Sequence, residues 1–292
     1  MTLSPRHTVD RWLASHAERI DGWRELHRRG QLVRYLAARV LTTTGISRLI
    51  RIRRREFDLR FYPSSISVAL WLDPEGRDDD EEIFRRYLRP GDVVVDVGAN
   101  IGNLTLQAAK CVGETGQVIA LEAHPRTFTY LLGNLALNRV RNVNALNLAV
   151  GDHEGVVAFS NQRQDDQNAV VSNETGLTIP MRPLDAIVPA AAHVALLKID
   201  VEGYERFVLA GAPDTLRRTD CVFFEAYESA FARFGYATTD LLEALVAAGF
   251  HPLRFDEHGD VVPLPMSYRA DRCENLLAAR NVANVRARLS SR

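Results

Sequence analysis

From Asp92 onward, short apolar runs rich in β-branched residues alternate with stretches of helical period. Val93-Val94-Val95 is followed by a helical stretch over 104–111, Val118-Ile119-Ala120-Leu121, a second helix over 128–137 and a strand over 143–150. Strands over 194–199, 221–224, 251–255 and 276–279 follow, with helices over 204–217 and 239–248 between them. A strand that is apolar on both faces has to be covered on both, and helices between successive strands supply the cover. The pattern therefore predicts an α/β domain built on a mostly parallel sheet. Residues 155–160 and 177–182 interrupt it and read as an inserted hairpin.

The chain before Asp92 follows another pattern. Val9, Trp12, Leu13, Ile20, Trp23 and Leu26 recur at steps of three and four, which predicts a helix ending near Gly30, and a second helix runs through Leu36 and Val40. Phe57, Leu59 and Phe61, then Val68 and Leu70, alternate as strands do, with a turn at Pro63-Ser64-Ser65. The acidic run Asp78–Glu82 sits where a helix start would favour negative charge. Residues 1–60 hold 14 Arg against 6 acidic residues, whereas the whole chain of 292 residues has a net charge of −1. That basic face suits either an anionic partner, including a membrane surface, or an arginine-decorated helical layer. Near-zero overall charge, with no basic-aromatic patch near the expected cleft, argues against a nucleic-acid role. Three widely spaced cysteines, no apolar run of about 18 residues and no signal-like N-terminus lead to the expectation of a cytoplasmic chain without a transmembrane segment.

The most informative segment runs from Val95 through Asp96, Gly98, Asn100 and Gly102 to Asn103. A strand enters a tight turn and a helix begins, the place where such sheets bind ligands. The dinucleotide fingerprint G-x-G-x-x-G lacks its second glycine here, because Asn100 stands there, and this argues against a nicotinamide-dependent oxidoreductase. An acid two residues before the first glycine suits a cation. Asp96 is expected to face the ligand and take the ammonium of S-adenosylmethionine, and the Gly102 and Asn103 amides its carboxylate. Glu122, at the end of the next strand, is placed to accept from the two ribose hydroxyls. His124 flanks the adenine, and Asp152, after Gly151, either contacts it or forms a hairpin turn. Plain structural roles exist for Asp96 as a turn cap and for Glu122 as a solvated strand end.

A second segment, Lys198-Ile199-Asp200-Val201-Glu202-Gly203-Tyr204-Glu205, ends an apolar strand in carboxylates, and Glu225 ends the next strand. Asp200, Glu202 and Glu225 are expected to converge on one cleft, with Lys198 either pairing with them or sharing in catalysis. Transfer of a methyl is an in-line displacement that needs the acceptor about 3–3.5 Å from the methyl. Carboxylates there serve as a general base, as acceptors that position a hydroxyl, or as ligands of a divalent metal, the last not favoured. Helix capping is the plain alternative for Asp200 and Glu202.

Asp96-x-Gly98-x-Asn100-x-Gly102, Glu122 and the Lys198–Glu205 segment together resemble the FkbM family of S-adenosylmethionine-dependent methyltransferases, over roughly residues 80–280. The resemblance implies a Rossmann-like class I methyltransferase sheet of seven strands with helices on both faces, its last strand antiparallel at about 274–280. It implies O-methylation of a hydroxyl on a sugar, glycan or natural-product-type small molecule. It also carries Asp96, Gly98, Asn100, Gly102 and Glu122 over to the cofactor. Asp200 and Glu202 become the motif beside the transferred methyl, with individual roles left open. Residues 1–75 fall outside as an N-terminal helical and β extension to a methyltransferase domain at 76–285. The extension is expected to be a lid, an accessory layer or a homodimer surface. A non-catalytic module that binds the cofactor or a membrane surface stays open as an alternative.

Overall fold

A computed structural model describes residues 32–44, 49–75, 78–161, 169–170, 176–257 and 259–290; the expected helix ending near Gly30 lies outside them. Helix α1 (Leu32–Thr44) is followed by strands β1 (Arg51–Arg53) and β2 (Asp58–Arg60), helix α2 (Ser65–Leu72) and helix α3 (Asp78–Tyr87). The α/β body then runs β3 (Val93–Val97), α4 (Asn103–Val112), β4 (Gln117–Leu121), α5 (Pro125–Asn138) and β5 (Val143–Leu146). Three strands of the excursion, β6 (Ala149–Val150), β7 (Gly155–Phe159) and β8 (Leu177–Arg182), form a separate small sheet in the order β6-β8-β7. The main sheet resumes with β9 (Val194–Ile199), α6 (Glu205–Ala210), α7 (Pro213–Arg217), β10 (Thr219–Ala226), α8 (Glu228–Ala232) and α9 (Thr238–Ala247). It closes with β11 (His251–Phe255), β12 (Val261–Pro263), β13 (Glu274–Ala279) and helix α10 (Val282–Ser290).

The main sheet has the order β12-β11-β13-β10-β9-β3-β4-β5. β3 pairs in parallel with both β4 and β9, and β13 runs antiparallel between β10 and β11. This is the class I methyltransferase topology, and its strand order reverses between β3 and β9, where ligands bind. Seven strands stand as expected. The eighth, β12, is a three-residue edge strand that folds back antiparallel on β11. Alternation along the strands divides the core. Val95, Val97, Leu197, Ile199, Val222 and Phe224 face α6, α7 and α9, whereas Val94, Leu196, Cys221 and Phe223 face α3, α4 and α10.

Three local expectations are corrected. Val68 and Leu70 belong to helix α2, not to a strand: the Ser64 hydroxyl caps it by accepting from the Ser67 amide. The run 143–150 is two strands, because the chain leaves the main sheet after Leu146 and enters the small one at Ala149. The helix over 204–217 is broken into α6 and α7. Gly211 lies so close to the Gly151 carbonyl that a Cβ would stand 2.0 Å from it, and Pro213 starts the second helix. Helix α10 was not anticipated.

The N-terminal extension shares a core with the body. Ile52, Phe57, Leu59, Phe61, Tyr62 and Leu70 pack with Ala99, Ile101, Leu106 and Leu131. Asn138 and Asn134 of α5 stand one turn apart and bond the backbone of β2: Asn138 exchanges hydrogen bonds with Asp58 (2.9 and 2.7 Å), and Asn134 accepts from Arg60 N (2.8 Å). The acidic start of α3 does more than face a helix dipole. Glu81 is buried, accepts from Arg54 Nε (2.8 Å) and from Asn103 Nδ2 (3.0 Å), and so ties the extension to the start of α4. Among the described residues no helix is long and apolar enough to cross a membrane.

Candidate active site

A cleft opens at the carboxyl ends of β3, β4, β9 and β10. Its first wall is the loop after β3. Gly98 has φ +80, and a Cβ on it would lie 1.8 Å from the Asp200 carbonyl oxygen, so only glycine lets the two loops meet. The Gly98 and Ala99 amides donate to Leu121 O (2.9 and 3.0 Å). Asn100 takes the left-handed conformation (φ 50), which asparagine tolerates, and its Oδ1 accepts from Ile101 N at 2.7 Å. Glu122 stitches the ends of β3 and β4 together: Oε2 accepts from Asn100 N (2.9 Å) and Oε1 from His124 N (2.8 Å). Gly98, Asn100 and Glu122 all line the cleft, with apolar cover from Leu148, Val150 and Phe159.

Other expected cofactor residues sit elsewhere. Asp96 does not face the cleft. It is fully buried beneath the loop, where Oδ2 accepts from Thr105 Oγ1 (2.6 Å) and Oδ1 stands 3.2 Å from Lys198 Nζ. It points inward because it occupies a strand position whose side chain falls between the sheet and α4. The Gly102 amide is used within the loop, donating to Ala99 O at 2.9 Å, so it is not presented to an anion. Asn103 is buried against Glu81. His124 caps α5 by accepting from Arg126 N at Nδ1, and its Nε2 lies 3.2 Å from Asn161 Oδ1; its neighbour Ala123 lines the cleft instead. Asp152 is exposed and paired with His153 at 2.7 Å, in the turn that leads into β7.

The opposite wall carries the second motif. Lys198 lies at the register position opposite Asp96 on the neighbouring strand. Its ammonium bonds the Gly98 carbonyl at 2.7 Å and is held ionically by Asp96 at 3.2 Å and by Asp200 at 3.4 Å. Burial works to lower its pKa, but the two carboxylates outweigh it and the net shift is upward, so the lysine stays charged. It is not free to act as a base. It is the clamp between the loop after β3 and the loop that carries Asp200.

Asp200, Glu202 and Glu225 all line the cleft, and one carboxylate oxygen from each lies within 4.8 Å of the others. Asp200 is set by its amide, which donates to Val97 O at 3.0 Å; Glu202 takes φ 57, and its carbonyl accepts from Arg233 Nη2 at 2.7 Å. Like charges that close raise a pKa. Asp200 first, then burial, then Glu202 push Glu225 well above the ordinary carboxylate range, partly offset by a hydrogen bond from Cys273 Sγ at 2.9 Å. A carboxyl shifted that way is better matched to proton transfer near neutral pH than an ordinary glutamate. The three oxygens are also a donor set of the type that holds a hard divalent cation. Ile66 from α2, Val170 and Tyr204, the last stacked on Phe207 at 4.3 Å, complete an apolar rim. Tyr204 stands inside the Lys198–Glu205 segment, whereas motif reading missed Ile66 and Val170, which lie far from it in sequence with no spacing to announce them. The Cys273 contact with Glu225, 48 residues away, likewise has no local signature.

Residues 96–252 match the methyltransferase FkbM domain model, more than half of the chain. A tRNA (guanine(37)-N(1))-methyltransferase of Saccharomyces cerevisiae is 30% identical over 106 residues, 35% of this chain and 19% of that protein. Methyltransferase 1 of Beauveria bassiana is 30% identical over 146 residues, 41% of this chain and 58% of that one. The chain thus spans less than two thirds of the length of either curated relative. Among solved structures, methyltransferase FkbM from Methylobacillus flagellatus KT is 17% identical with a TM-score of 0.43, covering 73% of this chain and 52% of that one. A SAM-dependent methyltransferase from Aquifex aeolicus is 15% identical with a TM-score of 0.42, covering 70% and 93%.

Proposed function

Because the chain belongs to the methyltransferase FkbM domain family, we propose that it is an S-adenosylmethionine-dependent O-methyltransferase acting on a hydroxyl of a sugar, glycan or natural-product-type small molecule. The observation that carries this reading is the cleft with two kinds of carboxylate on opposite walls: Glu122 on one, Asp200, Glu202 and Glu225 on the other.

The donor set fits the cofactor. Glu122 is a paired acceptor of the sort that takes two adjacent ribose hydroxyls, and Leu148, Val150 and Phe159 offer an apolar surface for a flat base. Bound there, the cofactor would supply an electrophilic methyl on a positively charged sulfur. Gly98 and Asn100 would shape the loop against its amino-acid end. Asp96 would contribute from beneath, by fixing Lys198 and through it the Gly98 carbonyl. Gly102, Asn103 and His124 would act on the cofactor only through the loops that they anchor, and Asp152 stands outside the cleft.

The carboxylate wall would position the acceptor hydroxyl and take its proton, an effect typically worth 10²–10⁴-fold. The Lys198 ammonium keeps Asp200 from being a bare negative charge against the sulfonium, which would stabilise the ground state and slow transfer. The tRNA methyltransferase relative acts on a base, whereas the wall here offers clustered carboxylates suited to a hydroxyl. A methyl-transfer screen over sugar nucleotides, glycans, hydroxylated small molecules and tRNA, with and without Mg²⁺, tests the reading. Transfer to a hydroxyl is expected. Transfer only to a nucleobase nitrogen would refute it, and loss of transfer on chelation would add a metal at Asp200, Glu202 and Glu225.

A further inference from the structure

The turn between β9 and α6 carries Asp200 and Glu202 in a conformation that an unsupported chain would not hold. Glu202 has φ 57 and Gly203 has φ 102. Glu205, buried two residues further on, pins it. Its Oε1 accepts from Val201 N at 3.0 Å and from Gly203 N at 3.3 Å. Its Oε2 lies 3.3 Å from the Tyr236 hydroxyl, which stands 2.8 Å from the Gly203 carbonyl oxygen. A tyrosine hydroxyl has one proton, and the shorter contact takes it. The contact between Tyr236 Oη and Glu205 Oε2 then joins two oxygens, and only a proton on Glu205 makes it a hydrogen bond.

We propose that Glu205 and Tyr236 are positioning residues for the reacting carboxylates, with Glu205 acting as a neutral acid that accepts from both turn amides and donates to the Tyr236 hydroxyl. The charged groups that act on the pair agree with this. Asp200 bears on Glu205 with like charge, Glu205 in turn bears on Glu225, and the Arg206 guanidinium stands 5.8 Å from the centre of the Tyr236 ring. Burial pushes Glu205 up to about 7, with the Val201 and Gly203 amides pulling the other way and Asp200 adding to the rise. The consequence for turnover rests on the methyl-transfer reading above; the geometry of the turn does not.

Glu205→Gln reproduces the pattern of the neutral acid, since its carbonyl accepts and its amide donates. In the full chain, Glu205→Ala is expected to speed hydrogen exchange at the Val201 and Gly203 amides by about tenfold or more. It should lower kcat on the acceptor found in the screen by about a hundredfold, while the Kd of S-adenosylhomocysteine stays within about threefold. Glu205→Gln should stay within about threefold of wild type in all three. Wild type at about pH 6 should show the infrared carbonyl stretch of a protonated carboxyl that Glu205→Gln lacks, and Tyr236→Phe should shift the pH at which it vanishes. A Gln variant as damaged as the Ala variant overturns the neutral acid. Native turn protection in Glu205→Ala overturns positioning. If Glu205→Ala does not fold, an unmoved midpoint in Tyr236→Phe overturns the pairing. Wild-type protein that binds no S-adenosylhomocysteine would refute the functional reading instead, and the exchange comparison would still decide this one.

Discussion

Replacing Lys198 by Met tests the clamp at the centre of the site. The ammonium sits 3.2 Å from Asp96 and 3.4 Å from Asp200, and both Lys198 and Asp96 are buried. Coulomb's law at an effective dielectric of about 20 gives roughly 5 kcal/mol for unit charges at 3.2 Å, before the cost of desolvating both is subtracted. The net worth of the pair is therefore small, but removing one partner leaves Asp96 charged, buried and unmatched. That situation costs about 3–5 kcal/mol. Lys198→Met is expected to lower the unfolding free energy by about that much in urea titration, with the slope unchanged. Asp96→Asn in the same chain removes the stranded charge. The double variant should recover about 2 kcal/mol or more relative to the sum of the two single losses. A Lys198→Met loss below about 1 kcal/mol, or losses that simply add, would refute the clamp.

Three further outcomes follow from the same geometry. Glu122→Ala removes a cleft acceptor and strips Asn100 N and His124 N of their partner, so S-adenosylhomocysteine affinity should fall by about tenfold or more in calorimetry; a change within twofold would contradict the assignment. Asp200→Asn should abolish most turnover while cofactor affinity stays within about twofold, and unchanged turnover would remove it from the reacting wall. Glu205 binds a proton in the folded chain up to about pH 7, whereas the unfolded chain releases it near the ordinary glutamate value of 4.5. Its contribution to stability therefore falls as pH rises through that window, by about 1.4 kcal/mol per unit and about 3 kcal/mol in all. Wild type should lose stability relative to Glu205→Gln between these limits, and parallel pH profiles of the two would be the contrary result.

The sheet and its two motifs were legible because parallel strands buried on both faces leave long apolar runs, and glycines mark where loops touch. Val93–Val97 and Val194–Ile199 are such runs, and Gly98 is where the loop meets Asp200. Legibility failed where two periods coincide. Residues 65–72 are almost uniformly apolar, so alternation of period two fitted as well as a helix, and the Ser64 cap was the discriminating signal. It failed also where a long-range contact decides a side chain's role. Nothing near Asp96 shows that Lys198, 102 residues later, will claim it, and nothing near Glu81 announces Arg54 and Asn103. The residue types and spacing identified the chemistry. Which carboxylate faces the cleft and which holds the scaffold depended on how the strands register.

The most direct measurement is isothermal titration of the full chain with S-adenosylhomocysteine, alone and in the Glu122→Ala variant. Saturable binding to wild type at one site per chain, weakened by the substitution, is the predicted result. The absence of heat with wild type, or equal binding by both proteins, would contradict the cofactor cleft.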